Sequence, residues 1–228
     1  MKIILSTGFN ILITVGAFGF SRIANKKYPS PFTTPVFFST AIIIIIFLII
    51  GIDYKEYESA KSILTFMLGP ATVALAVPLY KNHKIIIKNI LPAFIGLILG
   101  TLSTIYSAIL LSKLLGLSNS IITSISIKSV TVPVAVEIAK IIGGDPSLTA
   151  VFVIVTGMIG SMMGPWMMNF FNITNPLSRG LALGTISHGI GTAEAATEGE
   201  LQGAISGVAM AISAIFTSII APLIHFLY

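Results

Sequence analysis

Residues 121–142 read IITSISIKSVTVPVAVEIAKII, an apolar run that contains Lys128 and Pro133. A membrane-crossing helix needs about 20 mostly apolar residues, so the run is long enough to cross. Pro133 lacks a backbone donor and clashes with the preceding helical turn. A charge such as that of Lys128 costs several kcal/mol at membrane depth. The run therefore predicts a membrane helix that is broken near its middle.

A second stretch resembles this one at an offset of 59 residues. Residues 69–81 read GPATVALAVPLYK and residues 128–140 read KSVTVPVAVEIAK, with proline inside both. Apolar segments often match by chance, which is one interpretation. The favoured interpretation is a duplicated broken helix, which in secondary transporters marks a substrate site near the membrane midplane. The identical pairs are Thr72/Thr131, Val73/Val132, Ala76/Ala135, Val77/Val136 and Lys81/Lys140.

Runs of apolar residues recur along the whole chain and predict an all-α, polytopic membrane protein. Glycine or proline interrupts three of them, so some runs need not cross, and a re-entrant element is one option. The candidates are Ile3–Phe20, Val36–Ile50, Ser62–Tyr80, Ile85–Leu111, Ile121–Ile142, Leu148–Phe171, Leu177–Ala196 and Ala204–Leu227. We interpret 1–228 as one membrane domain with N-terminal spans (1–60), a first repeat copy (61–113), a second copy (120–171), and a glycine-rich broken helix with the last span (176–228).

Composition excludes several classes of function. Of the 228 residues 55% are hydrophobic and 9% are charged, whereas a soluble domain carries roughly 25% charged residues. The net charge of +5 comes from bases between apolar runs, so nucleic acid is not an expected partner. Cysteine is absent, three histidines are scattered, and no P-loop, HExxH or GxSxG motif occurs, so we expect no metal, no cofactor and no enzyme activity.

Lys128 is the first candidate for binding a substrate, together with Ser129 and Thr131 beside it. The charge would attract an anion next to backbone groups that Pro133 leaves unpaired. The alternative is a lysine whose amine reaches the membrane surface. Thr72 in the first copy and Glu137 in the second are secondary candidates.

The second candidate is the segment 180–197, GLALGTISHGIGTAEAAT. Its glycines let the backbone unwind or approach another chain closely, and its polar groups need partners at membrane depth. His188 could contact the substrate, or it could be a buried histidine satisfied by a carbonyl. The candidate binding residues here are Ser187, His188, Gly191 and Thr192, with Arg179 and Glu194 as secondary candidates.

Helix starts are marked twice by an Asx-Pro pair. Asp145-Pro146 and Asn175-Pro176 each place a capping side chain before a proline at the first helical position. We therefore expect Asp145 to be a helix cap and not a ligand.

Four ordered motifs resemble the LrgB/CidB family: KSVTVP at 128–133, GGDPSLTA at 143–150, RGLALGT at 179–185 and SHGIGTA at 187–193. The resemblance covers most of the chain and is densest over 125–222. Glu194 departs from it, since relatives often carry a basic residue after the last motif.

The resemblance implies two functions. Bacterial members are described as holin-like or antiholin-like regulators of murein hydrolase activity and cell lysis, beside a small LrgA/CidA-type membrane partner. A plastid relative exports glycolate and glycerate, and some bacterial relatives are associated with pyruvate uptake. We predict a carrier of a small monocarboxylate in the bacterial cytoplasmic membrane, with lysis control as the alternative. The carboxylate, the coupling ion and a homo-oligomeric state are left open.

Overall fold

A computed structural model describes residues 2–74 and 76–225, without the side chains of 2–5, 72, 224 and 225. The described residues form twelve α-helices and one 3-10 turn (Pro31–Thr33) and contain no strand, which confirms the all-α prediction. The helices are α1 (Lys2–Lys27), α2 (Pro35–Ile50), α3 (Tyr54–Phe66), α4 (Leu68–Ala74), α5 (Ala76–Lys81), α6 (His83–Lys88), α7 (Ile90–Leu114), α8 (Asn119–Ser126), α9 (Val132–Ile142), α10 (Pro146–Phe170), α11 (Pro176–Glu198) and α12 (Glu200–His225).

Several of these helices are suited to a bilayer. Within the described residues, five stretches are long and apolar enough to cross a membrane, and α2 is a shorter apolar helix. The chain is therefore a multi-pass membrane protein, as predicted. The five stretches are Ser6–Lys27, Tyr54–Lys81, Ile90–Leu114, Pro146–Phe170 and Glu200–Leu223.

The first compact unit is Met1–Val77. In it α1 packs against α2 and α3, and polar side chains connect the helices. The Asn10 side chain donates to the backbone carbonyl of Glu56 at 3.1 Å, and the hydroxyls of Thr14 and Tyr57 lie 3.1 Å apart. Such bonds satisfy groups that would otherwise lack partners in an apolar environment.

The first copy of the predicted repeat (61–113) crosses the boundary between the two units, which lies at Val77 and Pro78. Helices α4 and α5 lie on either side of Leu75, which is outside the described residues. The duplication of the broken helix therefore stays a prediction, as do the boundaries drawn for the two copies.

The second compact unit is Pro78–Tyr228, and α10 lies at its centre. Thr149, Val153, Gly157 and Ser161, spaced by four residues, are its buried positions along one face, as expected for a helix that turns one stripe inward. Helix α10 packs on α8, α9 and α11.

Helix α10 also begins where the Asx-Pro pattern predicts. The Asp145 side chain accepts from the backbone N–H of Leu148 at 2.9 Å, and Asn175 accepts from Leu177 at 2.9 Å at the start of α11. Both caps are confirmed, because each side-chain oxygen satisfies a donor at a helix N-terminus.

Candidate functional site

The predicted break near Lys128 lies between α8 and α9. Helix α8 ends at Ser126, the segment 127–131 is non-helical, and α9 begins at Val132. Pro133 occupies the first turn of α9, where its missing N–H costs nothing, but its ring prevents the helix from extending back through the break. The sequence therefore located this break correctly.

Within the break, the amine of Lys128 contacts a neighbouring helix. Its Nζ donates to the backbone carbonyl of Thr104 on α7 at 3.2 Å. Ile127 and Val130, on either side of it, are each 1% exposed. Lys128 is therefore held inside the unit by its two neighbours and by a neutral carbonyl.

The two ends of the segment that contains this break lie next to each other. The backbone N–H of Asp145 donates to the Ser124 hydroxyl at 2.8 Å, although the two residues are 21 positions apart. Residues 124–145 thus form a closed path that includes the break and the whole of α9.

Helix α11 also folds back on itself. Arg179 binds Glu198 through Nε–Oε2 at 2.7 Å and Nη2–Oε1 at 2.5 Å. A straight helix would separate residues 19 positions apart by about 28 Å. The element is therefore a helical hairpin, and the predicted span Leu177–Ala196 is not one continuous helical rod. The re-entrant placement considered from the sequence stays a prediction.

The tip of this hairpin is His188. Its φ of 43° and ψ of −130° interrupt the helix, a conformation that is strained for a residue with a side chain. The ring is buried, and Nε2 donates to the backbone carbonyl of Val153 on α10 at 3.0 Å. The carbonyl-satisfied histidine considered from the sequence is therefore the arrangement observed.

Gly191 allows the two arms of the hairpin to pack. A Cβ at this position would collide with the backbone oxygen of Leu183 and would lie 2.5 Å from the Ser187 Cβ. Thr192, one residue further, donates to the carbonyl of His188 at 2.9 Å and lies 3.0 Å from the Ser206 hydroxyl of α12. Gly191 and Thr192 therefore hold the hairpin together, and no free hydrogen-bonding group remains on the Thr192 hydroxyl.

The two breaks share their neighbours on α10 and α7. The Val153 carbonyl binds His188, while the Val153 side chain packs with Ile127 and Val130. On α7, Thr104 binds Lys128, and a Cβ on Gly100, one turn earlier, would lie 3.3 Å from the Thr185 Cγ2. The broken segment and the hairpin tip thus approach the same two helices from different sides.

Four buried hydroxyls of the described side chains have no hydrogen-bond partner: Ser129, Thr149, Thr185 and Ser187. Buried hydroxyls are normally satisfied, so each of these donors is available to a ligand or to water. Ser129 and Ser187 were predicted as binding residues, whereas Thr149 and Thr185 were not.

The remaining predicted residues have separate places. Thr131 is the last residue of the break, directly before α9, and makes no side-chain cap, while Glu194 is buried in the second hairpin arm. Glu137 is exposed and paired with Lys140 at 2.6 Å, so it faces away from the break. The side chain of Thr72 lies outside the described part of the structure. Among the described residues, no three His, Asp or Glu are close enough to hold a metal ion.

Sequence reasoning missed three groups in this region. The carbonyls of Val153 and Thr104 are backbone groups, which carry no residue-type signal. Glu198 could have been found, because an arginine and a glutamate on either side of a glycine-rich segment suggest a pairing. Arg179, a secondary candidate for substrate binding, is paired with the Glu198 carboxylate.

Comparison with known proteins agrees with the motifs. The model of the LrgB-like family matches residues 14–227. YwbG and YxaC of Bacillus subtilis are each 36% identical to the chain, covering 96% of it and 96% and 95% of their own lengths. The Holin-like protein CidB of Staphylococcus aureus is 33% identical over 96% of the chain and 95% of its own length. No solved structure matches.

Proposed function

The chain belongs to the LrgB-like family, and from that premise we propose that it carries a small monocarboxylate across the membrane through a site between the two breaks. The observation that carries the proposal is their shared contact with α7 and α10. On α10, Val153 contacts both breaks. On α7, Thr104 contacts Lys128 in the first break, and Gly100, one turn earlier, contacts Thr185 in the hairpin. Broken helices that meet within a membrane protein are where carriers bind their substrates.

The charges favour an anion with a single negative charge. Among the described residues at the two breaks, Lys128 is the basic side chain that has no acidic partner. The other basic side chain, Arg179, is neutralised by Glu198. A carboxylate can replace the Thr104 carbonyl as the partner of the Lys128 amine, and a charged acceptor binds more strongly than a neutral one.

The unpartnered hydroxyls supply the remaining donors. Ser129 lies next to Lys128, and Ser187 and Thr185 lie at the hairpin tip. A carboxylate has two oxygens that accept about four hydrogen bonds, so it would satisfy donors from both breaks at once. We therefore propose Lys128, Ser129 and Ser187 as the binding residues, with Thr185 added to the set predicted from sequence.

The substrate class comes from the family resemblance: a two- or three-carbon 2-hydroxy or 2-oxo acid such as glycolate, glycerate or pyruvate. The test is uptake of each labelled acid into liposomes that contain this protein alone. We expect saturable uptake with competition among the acids, because a carrier exposes one site to each side in turn.

Lys128→Ala is the decisive variant, and Lys140→Ala is its matched control. Lys128→Ala should abolish uptake, because a lost charged hydrogen bond costs roughly 1.5 to 3 kcal/mol. Lys140 is a lysine of α9 with an exposed ion pair, so its loss should leave uptake unchanged. Uptake at the wild-type rate by Lys128→Ala protein would exclude this site.

The second candidate is a holin-like role in control of murein hydrolase activity and cell lysis, with a small LrgA/CidA-type membrane protein as the partner. The names of the relatives favour it over the carrier, since CidB is called holin-like. A holin-like assembly would leak many solutes. Release of a trapped dye of several hundred daltons from the same liposomes would favour this role and count against the carrier.

A further inference from the structure

The hairpin has two kinds of interface, and the difference bears on how the proposed carrier moves. We refer to residues 176–198 as the hairpin. Against α12, the hairpin packs backbone on backbone. A Cβ on Gly180 would lie 2.5 Å from the Gln202 carbonyl oxygen, and a Cβ on Gly184 would collide with the Ser206 carbonyl oxygen. Backbone atoms cannot rotate aside, so these contacts hold the hairpin firmly to the first half of α12.

Against α7 and α10, the hairpin places the ends of side chains on glycines. A Cβ on Gly96 would lie 3.0 Å from the Leu181 Cδ2, and a Cβ on Gly164 would lie 2.9 Å from the Leu183 Cδ2. Gly160 and Gly157 meet Ser187 and His188 in the same way. Side chains on a smooth glycine surface do not interlock, so this interface resists sliding and separation less than the interface with α12 does.

In the described structure, the hairpin forms hydrogen bonds with α10 and the loop after it only at the base and at the tip of the hairpin. At the base, Arg179 donates to the Asn169 side chain at 2.8 Å and to the Ile173 carbonyl at 3.0 Å. At the tip, His188 donates to Val153. Between them, the Thr185 methyl group faces α7 and the Ser187 hydroxyl faces α10, and the hydroxyls of both residues have no hydrogen-bond partner among the described residues.

We propose that the hairpin tip leaves α10 once in each transport cycle, pivoting about the base at Arg179, and that His188 is the positioning residue that holds the tip closed through Val153. The inference rests on the proposed carrier function. Separation of the tip exposes Ser187 and Thr185, which are the donors that bind the carboxylate. Hydrogen bonds from Ser187 and Thr185 to the bound carboxylate then compensate for the His188–Val153 hydrogen bond that separation breaks.

The absence of cysteine from the chain allows a direct test by cross-linking. A Cβ on Gly160 would lie 3.1 Å from the Ser187 Cβ, a few tenths of an ångström below the usual Cβ–Cβ spacing of a disulfide, so a small shift of the tip allows the bond. Because Ser187→Cys also weakens a substrate donor, uptake is measured at saturating substrate. Protein carrying Gly160→Cys and Ser187→Cys should lose the uptake it retains after reduction when it is oxidised, and measurable uptake that is equal in the two states would overturn the proposal.

The matched control is a cross-link of the hairpin to α12. A Cβ on Gly203 would lie 3.1 Å from the Ala196 Cβ, so Gly203→Cys with Ala196→Cys forms a bond of similar geometry. Uptake by this protein should be the same when oxidised and reduced. If oxidation blocks uptake here as well, the hairpin does not move together with α12, and the proposal is wrong.

A second measurement does not depend on transport. Leu183, 2% exposed, rests on Gly164, so Leu183→Cys should react slowly with a small thiol reagent while the hairpin is closed. Addition of His188→Phe should raise the labelling rate about tenfold, the effect of one lost hydrogen bond. His188→Gln, whose amide can donate to Val153, should restore slow labelling.

The labelling result separates the two proposals. Faster labelling with His188→Phe and its reversal by His188→Gln support the role of His188 in holding the tip closed, whatever the uptake. If wild-type liposomes then take up no carboxylate, only the carrier function fails. A labelling rate that is the same with histidine, phenylalanine and glutamine would show that His188 does not hold the tip.

Discussion

Arg179 and Glu198 close the base of a helical hairpin with a bidentate ion pair, at 2.7 Å and 2.5 Å. Their side chains are 11% and 15% exposed, whereas those of the Lys140–Glu137 pair on α9 are 54% and 68% exposed. A buried pair depends on both members, because removal of one leaves the other charged and desolvated.

Arg179→Ala should destabilise the protein by about 3 to 5 kcal/mol, because it leaves Glu198 unpaired in a buried position. Arg179→Met combined with Glu198→Leu should recover most of that loss, since both charges are removed. Thermal unfolding in detergent measures both. Lys140→Ala is the control and should cost less than about 1 kcal/mol. An equally small effect of Arg179→Ala would mean that the pair does not close the hairpin.

Ser187→Ala should leave the free energy of unfolding unchanged or raise it by about 1 kcal/mol, because it deletes a buried hydroxyl without a partner. Uptake should nevertheless fall, with a higher KM, since the substrate loses a donor. Unfolding and uptake measured on the same preparation provide the check. A variant that is less stable but transports normally would point to a purely structural serine.

Gly191→Ala should destabilise the hairpin by about 1 to 3 kcal/mol through overpacking, because its Cβ meets the Leu183 backbone. Gly189→Ala, two residues away, is the matched control. Its Cβ would find only the Met210 Sδ at 3.8 Å, an ordinary contact. Thermal unfolding of the two variants should differ clearly, and equal midpoints would contradict the packing described for the arms.

Asp145→Ala should cost about 1 kcal/mol of stability through loss of the α10 cap and should leave the KM for uptake unchanged. Asp145→Asn should retain both stability and uptake, because asparagine caps as well as aspartate does. Loss of uptake in Asp145→Asn protein at normal stability would instead identify the carboxylate as a ligand.

Local chemistry made part of this structure predictable. Pro133 located the break, and Asp145 and Asn175 located two helix starts, because each acts on backbone groups within one turn of itself. The membrane class followed from composition, since few polar residues are available to face water. Lys128 lies within that break, although its partner, the Thr104 carbonyl, could not be named from the sequence.

The return of α11 could not be predicted in the same way. Residues 177–196 have the length and composition of either a crossing helix or a hairpin. What decides between them is the contact between Arg179 and Glu198, at which the sequence only hints, and the backbone angles of His188, which have no local signature. The packing role of Gly191 could not be read from the sequence either, since a glycine that serves arm packing and one that serves a ligand look alike there; its predicted contact with substrate stays a prediction.

The segment 124–145 and the hairpin each begin and end at one end of α10, and this fixes the relative direction of the helices that they connect. Asp145 at the start of α10 contacts Ser124, and Asn169 near its end contacts Arg179. Helix α10 has 25 residues and is about 37 Å long, which exceeds the roughly 30 Å of hydrocarbon in a bilayer. The two ends of the segment 124–145 therefore lie at the N-terminal end of α10, and the base of the hairpin lies at its C-terminal end. Because the hairpin returns to its own base before α12 begins, α10 and α12 run in opposite directions.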